Sequence, residues 1–316
     1  MKPKLILVLA LAAFTLHIQA QILADEISVL KTPSGSIEGT LLCPYTSEKA
    51  PLVLIIAGSG PTDRDGNNIS MKNNSLKLLA EGLKANHIAS LRYDKRGIGK
   101  SASAAIQESD LRFEHYVEDA KGWVKLLKKD DRFSSIIIAG HSEGSLIGML
   151  ASQDADVDKY ISIAGAGYPA ADIIRKQLEG QAQGIKDQAF PILEQLEAGN
   201  TVTKVEPMLS SLFRPSVQGY MISWFRYAPQ EEMAKLTCPI LIVQGTTDIQ
   251  VSTDNAKVLK QANSKAQLSI IEGMNHILKD APADRMQNIA TYSQANLSIN
   301  NELIKTITNF ITTPSL

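Results

Sequence analysis

Apolar residues fall along this chain in two rhythms. Short runs rich in Ile, Leu and Val stand at 52–56, 88–93, 136–138, 160–164, 239–244 and 267–271. Runs of that length with little interruption suit strands buried on both faces. Between them, 75–84, 111–128, 253–263 and 301–311 carry helical spacing; in 111–128 it is set by Phe113, Tyr116, Val117, Trp123, Val124 and Leu127. Ahead of the first run, 26–31 and 36–42 alternate well enough to be strands, with Pro33-Ser34-Gly35 as a hairpin turn at the antiparallel edge of a larger sheet. Strand and helix in alternation predict an α/β protein: a mostly parallel sheet with helices on both faces.

The rhythm breaks at 167–236, where no good strand occurs. Segments 171–183, 185–198 and 217–227 read as helices, and Pro191 is expected to kink or divide the second. This predicts a helical lid or cap insertion at 167–236 within a core made of 21–166 and 237–316. Tyr220, Met221, Trp224, Phe225 and Tyr227 concentrate apolar rings and a thioether there. Inserted helices at a strand-end face form a cover over a site, so Tyr220, Trp224 and Phe225 are candidate substrate-binding residues. Packing of the insertion onto the core would use the same residues.

Composition narrows the class. The chain has 316 residues, 44% hydrophobic and 21% charged, ordinary for a globular protein. A net charge of −1 without a basic cluster argues against nucleic acid as a partner. Residues 1–20 read as a signal peptide: Lys2 and Lys4, an apolar stretch at 5–16, and Ile18-Gln19-Ala20 as a cleavage site. That stretch is too short for a comfortable membrane span. Removing two lysines takes the net charge from −1 (32 − 33) to −3 (30 − 33), and the expected location is secreted or periplasmic. Cys43 and Cys238 each precede a proline and read as small apolar residues, although an exported protein could join them. No metal-ligand spacing is present.

Candidate chemistry centres on Ser142. The isoleucine run leads into Gly140-His141-Ser142-Glu143-Gly144, and a small-residue helical stretch leads out. Strand, sharp turn and helix in that order project a serine hydroxyl beside a helix N-terminus. The glycine-rich loop 57–67 lacks the lysine of a phosphate cradle, and Asp63 occupies the third glycine position of a dinucleotide fingerprint. It reads instead as an oxyanion loop, with the N–H groups of Ser59 and Glu143 as donors; a plain surface loop is the other reading. Asp63, Arg64 and Asp65 are expected to lock it through ion pairs. Gly99-Lys100-Ser101 imitates the end of a P-loop, but Asp94 replaces the first glycine, so a tight loop is expected there and no ATP site.

A serine nucleophile needs a base and an acid that orients it. His141 belongs to the turn and is expected to point elsewhere, His87 precedes a strand at the wrong edge, and His115 lies on a packing helix. His276, in a loop after the last strand, is left as the base. Asp248 follows another strand and shares the carboxyl edge with Ser142. Asp280, four residues from His276, is the competing acid.

The order Ser142, Asp248, His276 resembles that of α/β-hydrolases, and the resemblance extends over nearly all of the mature chain. Gly140-His141-Ser142-Glu143-Gly144, Gly245-Thr246-Thr247-Asp248 and Asn275-His276 carry it. The loop 57–66 and Arg92-Tyr93-Asp94-Lys95-Arg96-Gly97-Ile98-Gly99 are similar to a subgroup of secreted bacterial serine esterases. That family usually has His-Gly in the oxyanion loop; this chain has Ala57-Gly58. The resemblance implies a serine hydrolase acting on small-molecule carboxylic esters without a cofactor. A serine peptidase or acyltransferase on the same scaffold, and a non-catalytic binding protein, are the alternatives. The signal-peptide reading predicts that amino-terminal sequencing of the exported protein starts at Gln21; a start at Met1 would overturn it.

Overall fold

The computed structural model describes residues 25–313, so the expected signal segment lies outside the described residues. Eight strands form one sheet: β1 (Glu26–Thr32), β2 (Gly35–Leu42), β3 (Ala50–Ile56), β4 (Ala89–Tyr93), β5 (Phe133–His141), β6 (Lys159–Ile163), β7 (Ile240–Gly245) and β8 (Gln267–Ile271). Their spatial order is β1-β2-β4-β3-β5-β6-β7-β8. The β1–β2 and β2–β4 pairs are antiparallel and all others parallel. Thr32 faces Gly35 across the first hairpin, so Pro33-Ser34 alone makes the turn and Gly35 belongs to the strand.

Strand periodicity shows why the central runs are apolar throughout. Leu52, Leu54 and Ile56 enter one core, Val53 and Ile55 the other; Ile136 and Ile138 part from Ile137 and Ala139 in the same way, as do Ile240 and Ile242 from Leu241 and Val243. The second core is closed by α1 (Ser75–Ala85) and the carboxy-terminal helix Asn301–Thr312, through Leu76, Leu79, Leu303 and Ile307. The first is closed by α2 (Phe113–Leu127), α3 (Glu143–Asp154) and the helix Thr253–Ala262, through Trp123, Ile147 and Leu259.

Between β6 and β7 come α4 (Ala170–Leu178), α5 (Gln183–Glu197), α6 (Ser210–Phe213), α7 (Pro215–Phe225) and α8 (Pro229–Ala234). The first ends at Leu178, five residues short of the expectation. Pro191 does not divide α5, which runs through it; the proline is on the exposed face, where water can take the carbonyl its missing N–H would have bonded. The short α8 and a helix at Arg285–Ala290 carry too few apolar positions to announce themselves. Counting onward, Thr253–Ala262 is α9, Arg285–Ala290 is α10 and Asn301–Thr312 is α11. Cys43 and Cys238 are free and half-buried, and among the described residues no helix is long and apolar enough to cross a membrane.

The turn from β5 to α3 is where backbones come closest. Ser142 has φ 56° and ψ −122°, a strained setting for a residue with a side chain. A Cβ at Gly140 would stand 2.1 Å from the Gly144 carbonyl oxygen, and one at Gly144 would stand 2.4 Å from that of Ile56. Neither backbone can retreat without breaking the β3–β5 ladder. Gly144→Ala is expected to lower stability by about 2–3 kcal/mol through overpacking, read as the shift in a urea unfolding midpoint; an unchanged midpoint would reject this packing argument.

Candidate active site

Two loops at the carboxyl edge of the sheet meet first. Asp248 follows β7 and His276 follows β8, and the His276 Nδ1–H donates to Asp248 Oδ2 at 2.8 Å. The same oxygen accepts from Gln244 Nε2 at 2.9 Å, while Oδ1 accepts the N–H groups of Gln250 and Val251 at 2.8 and 2.9 Å. With side-chain exposures of 6% for His276 and 0% for Asp248, this pair is dry. Burial pushes the Asp248 carboxyl up, but the electrostatic attraction of His276 and these hydrogen bonds outweigh it, and the group is held below the usual carboxylate range. Asp280 does not compete: its carboxylate accepts from Asn300 Nδ2 at 2.6 Å.

The loops are tied to each other as well. Asn275 Nδ2 donates to Thr291 Oγ1 at 2.9 Å and Asn288 Oδ1 at 3.3 Å, and Asn288 Nδ2 donates to the Thr247 carbonyl at 2.8 Å. Asn288, on α10, thus joins the residue before His276 to the residue before Asp248. Nothing local in the sequence around 288 marks this.

Ser142 lies at the start of α3. Its N–H donates to the Ile163 carbonyl at 2.9 Å, which pins the turn to β6. Its side chain lines a cavity of about 620 Å³; His276 and Asp248 do not. Among the described residues the Ser142 hydroxyl makes no hydrogen bond with the His276 ring. Its neighbour does touch that residue. The His141 Nε2–H donates to the His276 carbonyl at 2.8 Å, and the two ring centroids are 4.9 Å apart. His141 thus faces the loop of His276, because a residue ending β5 at this edge meets the loop leaving β8. Burial, reinforced by the His276 charge, depresses the His141 imidazole to about 4, so it is neutral and can donate to the carbonyl.

The glycine-rich loop sits against this turn. A Cβ built on Gly58 would be 3.0 Å from Ser142 Cβ. Ser59 and Glu143 both line the cavity with Ser142, and among the described residues neither N–H has an acceptor. Arg64 Nη2 donates to Asp94 Oδ2 at 2.8 Å and Glu38 Oε1 at 2.9 Å, and Arg92 Nε to Asp65 Oδ1 at 2.7 Å. Asp63 departs from the expected ion pairing: its carboxylate accepts the N–H groups of Asp65 and Asn67 instead. Asp94 also accepts the N–H groups of Arg64 and Lys100, at 2.7 and 2.9 Å. An acid where a P-loop needs glycine thus shapes this turn, whose next residue, Lys95, reaches the cavity.

The insertion supplies much of the cavity wall, including Ile173 and Ile174 from α4 and Val217, Tyr220, Met221 and Trp224 from α7. Trp224 stacks on Phe113 with centroids 6.0 Å apart, and the Tyr220 hydroxyl donates to Glu143 Oε1 at 2.5 Å. Phe225 is not among the lining residues. Tyr220 and Trp224 are four apart and share a helix face, whereas the residue after Trp224 points about 100° away.

Residues 72–211 match a family described as serine aminopeptidase, S33. Esterase EstD of Thermotoga maritima is 26% identical over 267 residues, covering 80% of this chain. The match spans 62% of EstD, less than two thirds of its length. Est1E from Butyrivibrio proteoclasticus superposes with a TM-score of 0.61 at 20% identity, over 92% of this chain and 100% of that one. The α/β-hydrolase GrgF from Penicillium sp. sh18 gives 0.61 at 17% identity, over 91% and 98%. The chain has the α/β-hydrolase fold, and the relative matched by sequence, EstD, is an esterase by name.

The charge on Asp248 has a measurable consequence. A carboxyl held below its unfolded value stabilises the fold above that value, about 3.9 for aspartate, and the contribution disappears as pH falls through the folded value. Asp248→Asn is therefore expected to unfold at lower urea than the parent near pH 6, with the gap narrowing below about pH 4. A gap of constant size from pH 6 to 2 would show that the carboxylate is not the stabilised form.

Proposed function

We propose that this protein is a serine hydrolase that cleaves carboxylic esters through Ser142, His276 and Asp248 and an acyl-enzyme. The observation that carries this reading is the buried His276–Asp248 hydrogen bond at the same sheet edge as the strained Ser142 turn. Catalysis requires the Ser142 hydroxyl to meet the ring; such contacts are often unmade in a free enzyme. The hydroxyl proton then passes to His276 Nε2, Oγ bonds to the ester carbonyl carbon, and the carbonyl π pair moves onto oxygen. The N–H groups of Ser59 and Glu143 receive that oxyanion. Collapse expels the alcohol, which takes the proton from His276, and water repeats the sequence to release the acid. Asp248 holds the Nδ1–H throughout. Helices α4–α8 act as the cover, with Tyr220 and Trp224 against the substrate. Export through 1–20 is part of the same proposal.

The family description raises peptide hydrolysis as a second reading. An aminopeptidase needs a free carboxylate for the substrate ammonium. Of the acids lining the cavity, Glu143 is paired with Lys95, and Glu108 with Arg214 and Ser216. That pairing favours neutral esters. Ser142→Ala is expected to lower turnover of p-nitrophenyl butyrate by at least about 10³-fold with an unchanged melting temperature, and to abolish labelling by a fluorophosphonate. Equal turnover by parent and variant would reject the assignment; faster cleavage of leucine p-nitroanilide than of the ester would favour the peptidase.

A further inference from the structure

The motif Arg92–Gly99 is not used by the mechanism above, yet its lysine is aimed at the reacting centre. Lys95 is a cation with a side-chain exposure of 2%. Its Nζ donates to the Gly58 carbonyl at 2.6 Å, stands 3.4 Å from Glu143 Oε2, and lies 5.1 Å from the centre of the Tyr116 ring. On the far side, Glu143 takes the Tyr220 hydroxyl. One ammonium therefore touches both stretches that carry the proposed oxyanion donors.

The Gly58 carbonyl and the Ser59 N–H belong to one peptide unit. That unit is planar and trans, so its C=O and N–H point in opposite directions, and fixing one fixes the other. We infer that Lys95 is a positioning residue for the oxyanion hole: by holding the Gly58 carbonyl it sets the direction of the Ser59 N–H, and through the Glu143 carboxylate it anchors the residue that supplies the second donor. A cation on the carbonyl oxygen also draws electron density from the peptide nitrogen, making its N–H a stronger donor as negative charge develops on the substrate. The Tyr220 hydroxyl closes the chain of contacts, linking α7 to the same carboxylate. Asp94 fits this role, since it shapes the turn from which Lys95 reaches inward.

The inference rests on the esterase reading, and the experiment separates the two. Lys95→Met alone would leave the Glu143 charge buried and unpaired, which can destabilise for reasons unrelated to catalysis. The informative protein is Lys95→Met/Glu143→Gln, which is neutral and keeps an acceptor for Tyr220. It is expected to melt near the parent temperature, to lose about 10- to 100-fold in kcat on p-nitrophenyl butyrate, less than the loss of a whole donor, and to hold KM within about twofold. Its inhibition constant for butane-1-boronic acid, which forms a tetrahedral anion on the serine, is expected to weaken by a similar factor. If Lys95 only fills space, the double variant regains both fold and kcat, which overturns the inference. An effect on KM alone overturns it too. Should the methionine variants not fold, Lys95→Gln/Glu143→Gln carries the same comparison, with a shorter neutral donor expected to give a smaller kcat loss. Ser142→Ala, run alongside, reports on the esterase reading: full turnover by that control would remove the reaction that Lys95 is said to serve.

Discussion

The β5–α3 turn is built from backbone in contact with backbone. At Gly140 and Gly144 there is no room for even a methyl group between the turn, the first turn of α3 and the end of β3. This contact forces Ser142 into its unusual φ and ψ, because the chain must reverse within a space that only main chain can occupy. It also brings Gly58 to the flank of Ser142, since the loop leaving β3 has to pass the same crossing. Removing that closeness would separate the hydroxyl, the loop N–H groups and the helix N-terminus together. The strain is held by ladder bonds on either side of β5 and by the bond from Ser142 to Ile163.

The sheet was legible from sequence because its central strands are buried twice over. A strand such as 52–56 has no polar face to confuse with a loop, and its length is too small for a helix. The pairing of His276 with Asp248 was legible because parallel strands end on one side, which leaves few candidates at that edge. Contacts that depend on distant stretches were not. Lys95 is 37 residues from the carbonyl it holds, and its local pattern imitates a phosphate loop that fails. His141 shares a pentapeptide with Ser142, which says nothing about what lies across the edge. Asn288 sits on a six-residue helix with a mixed pattern, so neither the helix nor its bridging role could be read in advance. From Gln183 to Glu197 the local rule about proline does not fix the helix boundary, because Pro191 faces water and the helix runs through it.

Electrostatics around the cavity follow a common plan. Buried cations and anions are matched at short range: Arg64 with Asp94, Arg96 with Asp119, Lys95 with Glu143. Each pair is costly to bring out of water and tolerable only because its members meet within bonding distance. The cations of these pairs stand on the loops after β3 and β4, which have no regular ladder of their own. Charge matching there takes over the ordering that hydrogen-bonded strands provide elsewhere, and gives a flexible sequence a fixed shape beside Ser142.

The proposed triad residues and the cavity wall come from different stretches of this chain. The former sit on strand ends whose positions are dictated by the sheet; much of the latter comes from a detour of helices between β6 and β7. Selection could therefore reshape the cavity by editing α4 and α7 while leaving the strand-end groups in place, except at Tyr220, whose hydroxyl is bonded to the residue that follows Ser142. That single shared hydroxyl marks where remodelling of the wall would begin to disturb the turn behind it.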